Sequence, residues 1–326
     1  MSATKILLAV LLSLSACGQS SPEGNAANPN NTPAVQADKP AAGENDKSDV
    51  YGPPVHLADL EEPAVKESSG LAASRRNPGM FWTHNDSGDG PFLYAFDRQG
   101  KRAGIWEVAG AKAIDWEDMA AGPGPERGRA YLYVGDIGDN ARKREEIIVY
   151  RVAEPAIAAQ DSAASQAQAR KTEPAEAIRL KYPDGKHDAE ALLVHPATGD
   201  LYIVTKAMGA PARVYKAASP ISSADVTTLT LVGEARLPNA MAGLITGGDI
   251  APDGRRVILC DYFGAYEMAL PDGSADNFGE IWKQPLTPVK LAERRQGESI
   301  CYRLDGKAIL TTSEGRPCPL YEVARR

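Results

Sequence analysis

The chain has 326 residues, 43% of them hydrophobic, and a formal net charge of −7. That is apolar content enough for a large core, and the wrong sign of charge for gripping the phosphates of a nucleic-acid polymer. Four cysteines in this length are too few for a disulfide-built scaffold, and their spacing matches no zinc pattern.

In chain order, Met1 to Lys5 form a short basic start and Ile6 to Leu14 an apolar run too short to span a bilayer, which reads as a signal peptide over residues 1–16. The run closes on Leu14-Ser15-Ala16-Cys17, which resembles the bacterial lipobox. The resemblance implies that Cys17 is diacylated and becomes the new N-terminus, that the protein is extracytoplasmic, and that it touches membrane through this lipid anchor only. Gly18, where an aspartate would imply retention, implies outer-membrane sorting in a Gram-negative source, on the periplasmic or surface face. Residues 17–50 carry almost no large apolar side chain and read as a lipidated, disordered tether. Loss of residues 1–16 removes Lys5 alone, taking the charge from −7 to −8. With Cys17 lipidated, Cys260, Cys301 and Cys318 allow at most one internal disulfide, and they read as structural.

From residue 51 onward the sequence repeats. The segments starting at Ser68, Trp116, Ala189, Gly247 and Gly297 each show a small or acidic start, a short apolar strand, a turn (NPG, GPGPERG, ATGD, PDG, LDG) and a second strand of β-branched and aromatic residues. A third strand follows each time, as in FLYAFDRQG and IIVYRVAEP, and a fourth follows all but the last. The stretch around Val55–Leu60 can supply that missing strand. These repeats predict an all-β fold over residues 51–326: a single β-propeller of five four-stranded blades, six being the alternative, closed by an N-terminal strand. Glu154 to Glu176 reads as an insertion between third and fourth strands.

In a propeller the innermost strand begins and the second strand ends on the same face, so two rows of loops surround one channel mouth. The innermost starts bring Ser69, Glu117, Glu190, Gly248 with Asp249, and Glu298, with Glu67, Asp115 and Asp188 two residues earlier on three blades. The second-strand ends bring His84, Asn85, Asp86, Asp89, Asp136, Asp139, Arg142, Lys206, Tyr262, Glu314 and Arg316. Carboxylates aimed down one axis repel unless a cation neutralises them, and an oxygen-only donor set suits calcium. The metal ligands expected are therefore Ser69, Glu117, Glu190, Asp249 and Glu298. The alternative is a wet polar channel satisfied by water and backbone amides. His84 is the expected general acid or base, Asp86 or Asp136 the group that orients water, and Lys206 a charge partner in catalysis. Asn85, Arg142, Tyr262, Glu314 and Arg316 are expected to contact substrate. The loops THNDSGDG and VGDIGDN suit either a second metal site or turns that cap their own backbone. Trp82, Trp106, Trp116 and Trp282 read as core.

The succession Ser69, Glu117, Glu190, small Gly248, Glu298 is similar to the calcium-coordinating ring of the calcium-dependent nucleotidases (apyrases). That likeness implies a five-bladed propeller with a central ion, with Gly248 standing where the family has a side-chain ligand. The phrases DWEDMA, HDAEALLVHP, GGDIAPDG and QGESI resemble the phytase-like, esterase-like propeller group, which implies architecture more than reaction. The expected activity is calcium-dependent hydrolysis of phosphoesters or phosphoanhydrides; the alternative is a non-catalytic, calcium-stabilised propeller that binds a polysaccharide, peptide or envelope protein. The partners expected are a small anionic molecule or glycan, no nucleic-acid polymer, and no second copy of the chain, which would be a monomer.

Overall fold

Each repeat turns from its first strand into its second at a glycine that only a residue without Cβ occupies easily: Gly79, Gly128, Gly199, Gly254 and Gly306 have φ of 80°, 81°, 75°, 67° and 66°. A computed structural model, which describes residues 50–86, 88–239, 242–272 and 277–326, places these turns in five antiparallel sheets. The segment expected to be a signal peptide, the lipidation expected at Cys17 and nearly all of the expected tether lie outside the described residues. No helix among the described residues is long and apolar enough to cross a membrane.

Blade 1 consists of Ser68–Ala73, Met80–Asn85, Phe92–Asp97 and Arg102–Glu107; blade 2 of Trp116–Pro123, Ala130–Asp136, Ile147–Ala153 and Glu176–Lys181. Blade 3 is built from Ala189–Val194, Leu201–Thr205, Ala212–Ala217 and Thr230–Ala235, and blade 4 from Gly247–Ile250, Arg256–Cys260, Ala265–Ala269 and Thr287–Val289. Blade 5 takes Ile300–Tyr302, Ala308–Thr311 and Pro319–Arg325 from the C-terminus and its outer strand, Tyr51–Asp59, from the other end of the chain. That strand pairs antiparallel from Tyr51↔Arg325 to Asp59↔Pro319, so the ring is closed by hydrogen bonds between its two ends. The fold is thus the five-bladed propeller that the repeats predict. Blades 1 and 2 each gain a two-residue parallel fifth strand, Arg170–Lys171 and Thr227–Thr228, the first of them supplied by the insertion.

Apolar side chains fill the spaces between blades. Trp82, Trp106 and Met119 join blades 1 and 2, Tyr133 and Leu192 join 2 and 3, and Val204 and Leu259 join 3 and 4. Ile258 and Ile309 join blades 4 and 5, and Phe81 and Leu320 join 5 and 1. Each blade buries both faces, which is why its strands read as nearly continuous apolar runs. Cys260, Cys301 and Cys318 are buried and free within these packings, as structural thiols would be. Deleting residues 51–59 from the full chain should lower the melting temperature by roughly 10 °C or more, from the loss of several kcal/mol, and should promote association through the freed edge of Pro319–Arg325; calorimetry and size-exclusion chromatography read both effects.

Candidate metal centre at the channel mouth

The innermost strands do not all start alike. In blades 1, 2 and 3 the pairing with the second strand slips between Ser68 and Gly70, Trp116 and Met119, and Ala189 and Ala191. Ser69, Glu117 and Glu190 are therefore extra residues in β-bulges, a device that re-aims side chains at sheet ends. Blade 4 has no bulge: Gly247↔Cys260 is followed directly by Gly248↔Leu259. The ring position equated with Gly248 is a missing residue, and Asp249 does not fill it. Its carboxylate accepts from Ile250 N (2.8 Å) and Tyr302 N (2.9 Å), lines the opposite end of the channel beside Arg75, and is pushed up to about 7 by burial.

Below the mouth the channel is shut. Asp118, wholly buried, accepts from Met119 N (2.8 Å), Leu192 N (3.1 Å) and Gly248 N (3.2 Å), tying blades 2, 3 and 4 across the axis. At the far end Arg75 reaches the carbonyls of Ala121 and Pro196, both at 3.4 Å, leaving about 30 Å³, room for about one water molecule. Access is from the acidic mouth.

There Asp86, Asp115 and Glu117 bring one oxygen each within 4.8 Å of one another. Burial, then Asp86 and Asp188, pushes Asp115 up to about 6. Burial, then Glu190 and Asp86, holds Glu117 well above the usual carboxylate range. The Glu117 carboxylate is buried, and no side-chain or backbone donor reaches it among the described residues. Gly138 completes the cradle, since a Cβ there would collide with Glu117 Oε1 and Asp115 Oδ2. An oxygen-only donor set with a buried, donorless carboxylate fits a hard divalent cation.

The remaining carboxylates are balanced within the chain. Glu190 pairs with Lys206, whose ammonium also meets Tyr262 Oη at 2.8 Å. Burial pulls Lys206 down, but Glu190 and then Tyr262 outweigh it and keep it charged. Burial and Glu298 push Glu190 up against the pull of Lys206. Glu298 accepts from Gln296 Nε2 (2.9 Å) and lies beside Glu314, which burial and then Glu298 push up to about 9. Arg144, which no sequence signal set apart from its charged loop, donates to Asp136 Oδ1 (2.7 Å) and Gly138 O (3.0 Å). Arg294, also unforeseen, is half-buried near Glu298 with its Nη2 on Asp261 O (3.1 Å); Gly297 makes room for its guanidinium.

Several expected roles are corrected. His84 is fully buried between blades 1 and 2, edge-on to Trp116, with Nδ1 on Asn85 O (2.8 Å). Burial lowers its pKa, so it is a neutral core histidine without access to substrate. Asn85 is spent on the backbone: Oδ1 accepts from Lys66 N and Glu67 N, and Nδ2 donates to Ala64 O and Asp89 Oδ2. Asp136 is buried and paired with Arg144, with Asp115 N also donating to it (3.2 Å), so it positions Asp115 rather than contacting water. The VGDIGDN loop is a self-capped turn, Asp139 accepting from Lys143 N and Arg144 N. Ser69 is buried at its bulge; Arg142 and Arg316 stand exposed on the rim. A concavity of about 630 Å³ between Tyr51, Glu267, Pro288 and Arg325 lies on the flank of blades 4 and 5. Its carboxylate is already met by Tyr51, Tyr302 and Arg325, so it offers a ligand little.

No family model matches the chain, and no curated protein matches it. Solved structures do: the Dos1 propeller at 9% identity over 81% of this chain and 83% of that one, TM-score 0.37, and a gluconolactonase from Xanthomonas campestris at 11% identity over 84% and 89%, TM-score 0.43. What the fold and site define is a five-bladed β-propeller with one open, acidic mouth.

Asp115 and Glu314 hold protons in the folded state that an unfolded chain has released above about pH 4. Their contribution to stability is therefore present at low pH and lost as pH rises through about 6 and about 9. The metal-stripped protein should melt progressively lower as the pH is raised from 5 to 8, with Asp115→Asn flattening the lower part of that fall. Asp118→Ala should cost about 3 kcal/mol by stranding buried N–H groups, whether or not calcium is present; chemical denaturation measures it.

Proposed function

We propose that this protein is a calcium-dependent hydrolase acting on phosphoesters or phosphoanhydrides at the channel mouth. The observation that carries the reading is Glu117: a buried carboxylate without a donor, converging with Asp86 and Asp115. Those three residues would hold the cation, which when bound polarises phosphoryl oxygens and offsets their charge. Glu314, which burial and then Glu298 push up to about 9, supplies a proton to a leaving oxygen. Lys206 stays charged beside Tyr262, and Arg142 and Arg316 on the rim meet the substrate's negative charge. Export and a lipid anchor at Cys17 belong to the same proposal, as does a monomeric state.

A second reading, a calcium-stabilised binding module for a polysaccharide, peptide or envelope protein, draws support from the cations nearest the cluster: Lys206 and Arg144 are already committed to Glu190 and Asp136. The two separate in one experiment. Metal-stripped protein given calcium at a hundred times its Kd should gain about 2.7 kcal/mol, and Glu117→Gln should abolish that gain. A nucleoside triphosphate, phytate and a model phosphodiester serve as substrates, and Glu314→Gln should reduce release at least tenfold with its calcium response retained. Stabilisation without turnover of any of them assigns the protein to the binding reading; absence of a calcium response overturns the cation centre.

A further inference from the structure

The mouth is unequal around its rim. Among the described residues three large apolar side chains stand exposed on this one face: Ile114 at 58%, Met208 at 69% and Phe263 at 70%. Each adjoins a group of the site, since Ile114 precedes Asp115, Met208 follows Lys206 by two residues, and Phe263 follows Tyr262. They belong to the mouth loops of consecutive blades, 2, 3 and 4, whereas the corresponding loops of blades 5 and 1 present Glu314, Arg316 and Asp86.

Single exposed apolar residues are ordinary, but an arc of three beside a polar cluster marks a binding surface. The loops that carry them are anchored. Met208 pairs with Ala242 in a short antiparallel ribbon. Phe263 N donates to Asp261 Oδ1 (2.8 Å), and Asn239 holds the other Asp261 oxygen (2.8 Å). Beside Ile114, Asp115 is tied to Asp136 and to Gly138 N (3.2 Å). Side chains held out in water by such anchors are pre-organised to receive an apolar group, without an ordering cost at binding.

We propose that the ligand of this mouth is amphipathic: an oxyanion head at the carboxylate cluster, joined to an alkyl or aryl group that lies over Ile114, Met208 and Phe263. The inference rests on the cation-centre reading, because an oxyanion enters an acidic mouth only with a cation between.

The test is calorimetric titration of the full chain, in calcium, with alkyl phosphate monoesters from methyl to octyl. Affinity should rise roughly threefold to fourfold per methylene over the first several carbons, and the combined replacement Ile114→Ser, Met208→Ser, Phe263→Ser should flatten that dependence. A series flat in the unaltered protein, or equally steep in the replaced one, overturns the inference. Calcium binding read in the same cell separates the two claims: a flat series with calcium bound sinks the apolar arc alone, and no calcium binding sinks the cation centre and the arc with it. Calcium-dependent attachment to phosphatidylcholine vesicles together with a flat series would assign the arc to a bilayer and likewise overturn the proposal.

Discussion

Five strands that begin around one axis bring their first side chains within reach of one another, and here those side chains are mostly carboxylates. Repulsion at that ring is the constraint that the surrounding structure answers. Desolvation compounds it, because the walls of the mouth are the ends of tightly packed blades and the charged forms of Glu117 and Asp115 lose water there.

The chain meets the constraint unevenly. Glu190 receives an ammonium, Asp136 a guanidinium, and Glu298 the amide of Gln296. Farther down the axis, Asp118 takes three backbone N–H groups from three blades, which makes one acidic side chain a tie rather than a source of strain. What is left without a donor among the described residues is Glu117, beside which Gly138 keeps the space open. A site in which most charges are balanced and one buried carboxylate is not is a localised demand for a cation, sharper than a generally acidic channel would make.

The architecture was legible because a blade cannot bury its faces alone: the repeat of strand, glycine turn and strand, five times over, forces a closed ring, and the stretch at Tyr51–Asp59 had only one unpaired edge to complete. The acidic ring was legible at Glu117, Glu190 and Glu298 for the same reason. It failed at Asp249, where the strand runs without a bulge, so that the carboxylate faces the other way along the axis. At His84 it failed through neighbours: the ring nitrogen stands against Gly70 of its own sheet and the ring against Trp116 of the next blade, contacts that join residues far apart in sequence. Arg144 and Arg294 were hidden in charged runs that read as solvated surface.

The sequence by itself determined the repeat of four-stranded blades, the turns between their strands and the face on which acids gather, because short apolar strand runs and turn glycines are local properties. Only the tertiary structure decided which acids meet each other and which meet a lysine, an arginine or a backbone amide. Those choices depend on bulges and on contacts between blades, where a one-residue slip turns a side chain from the channel into the sheet.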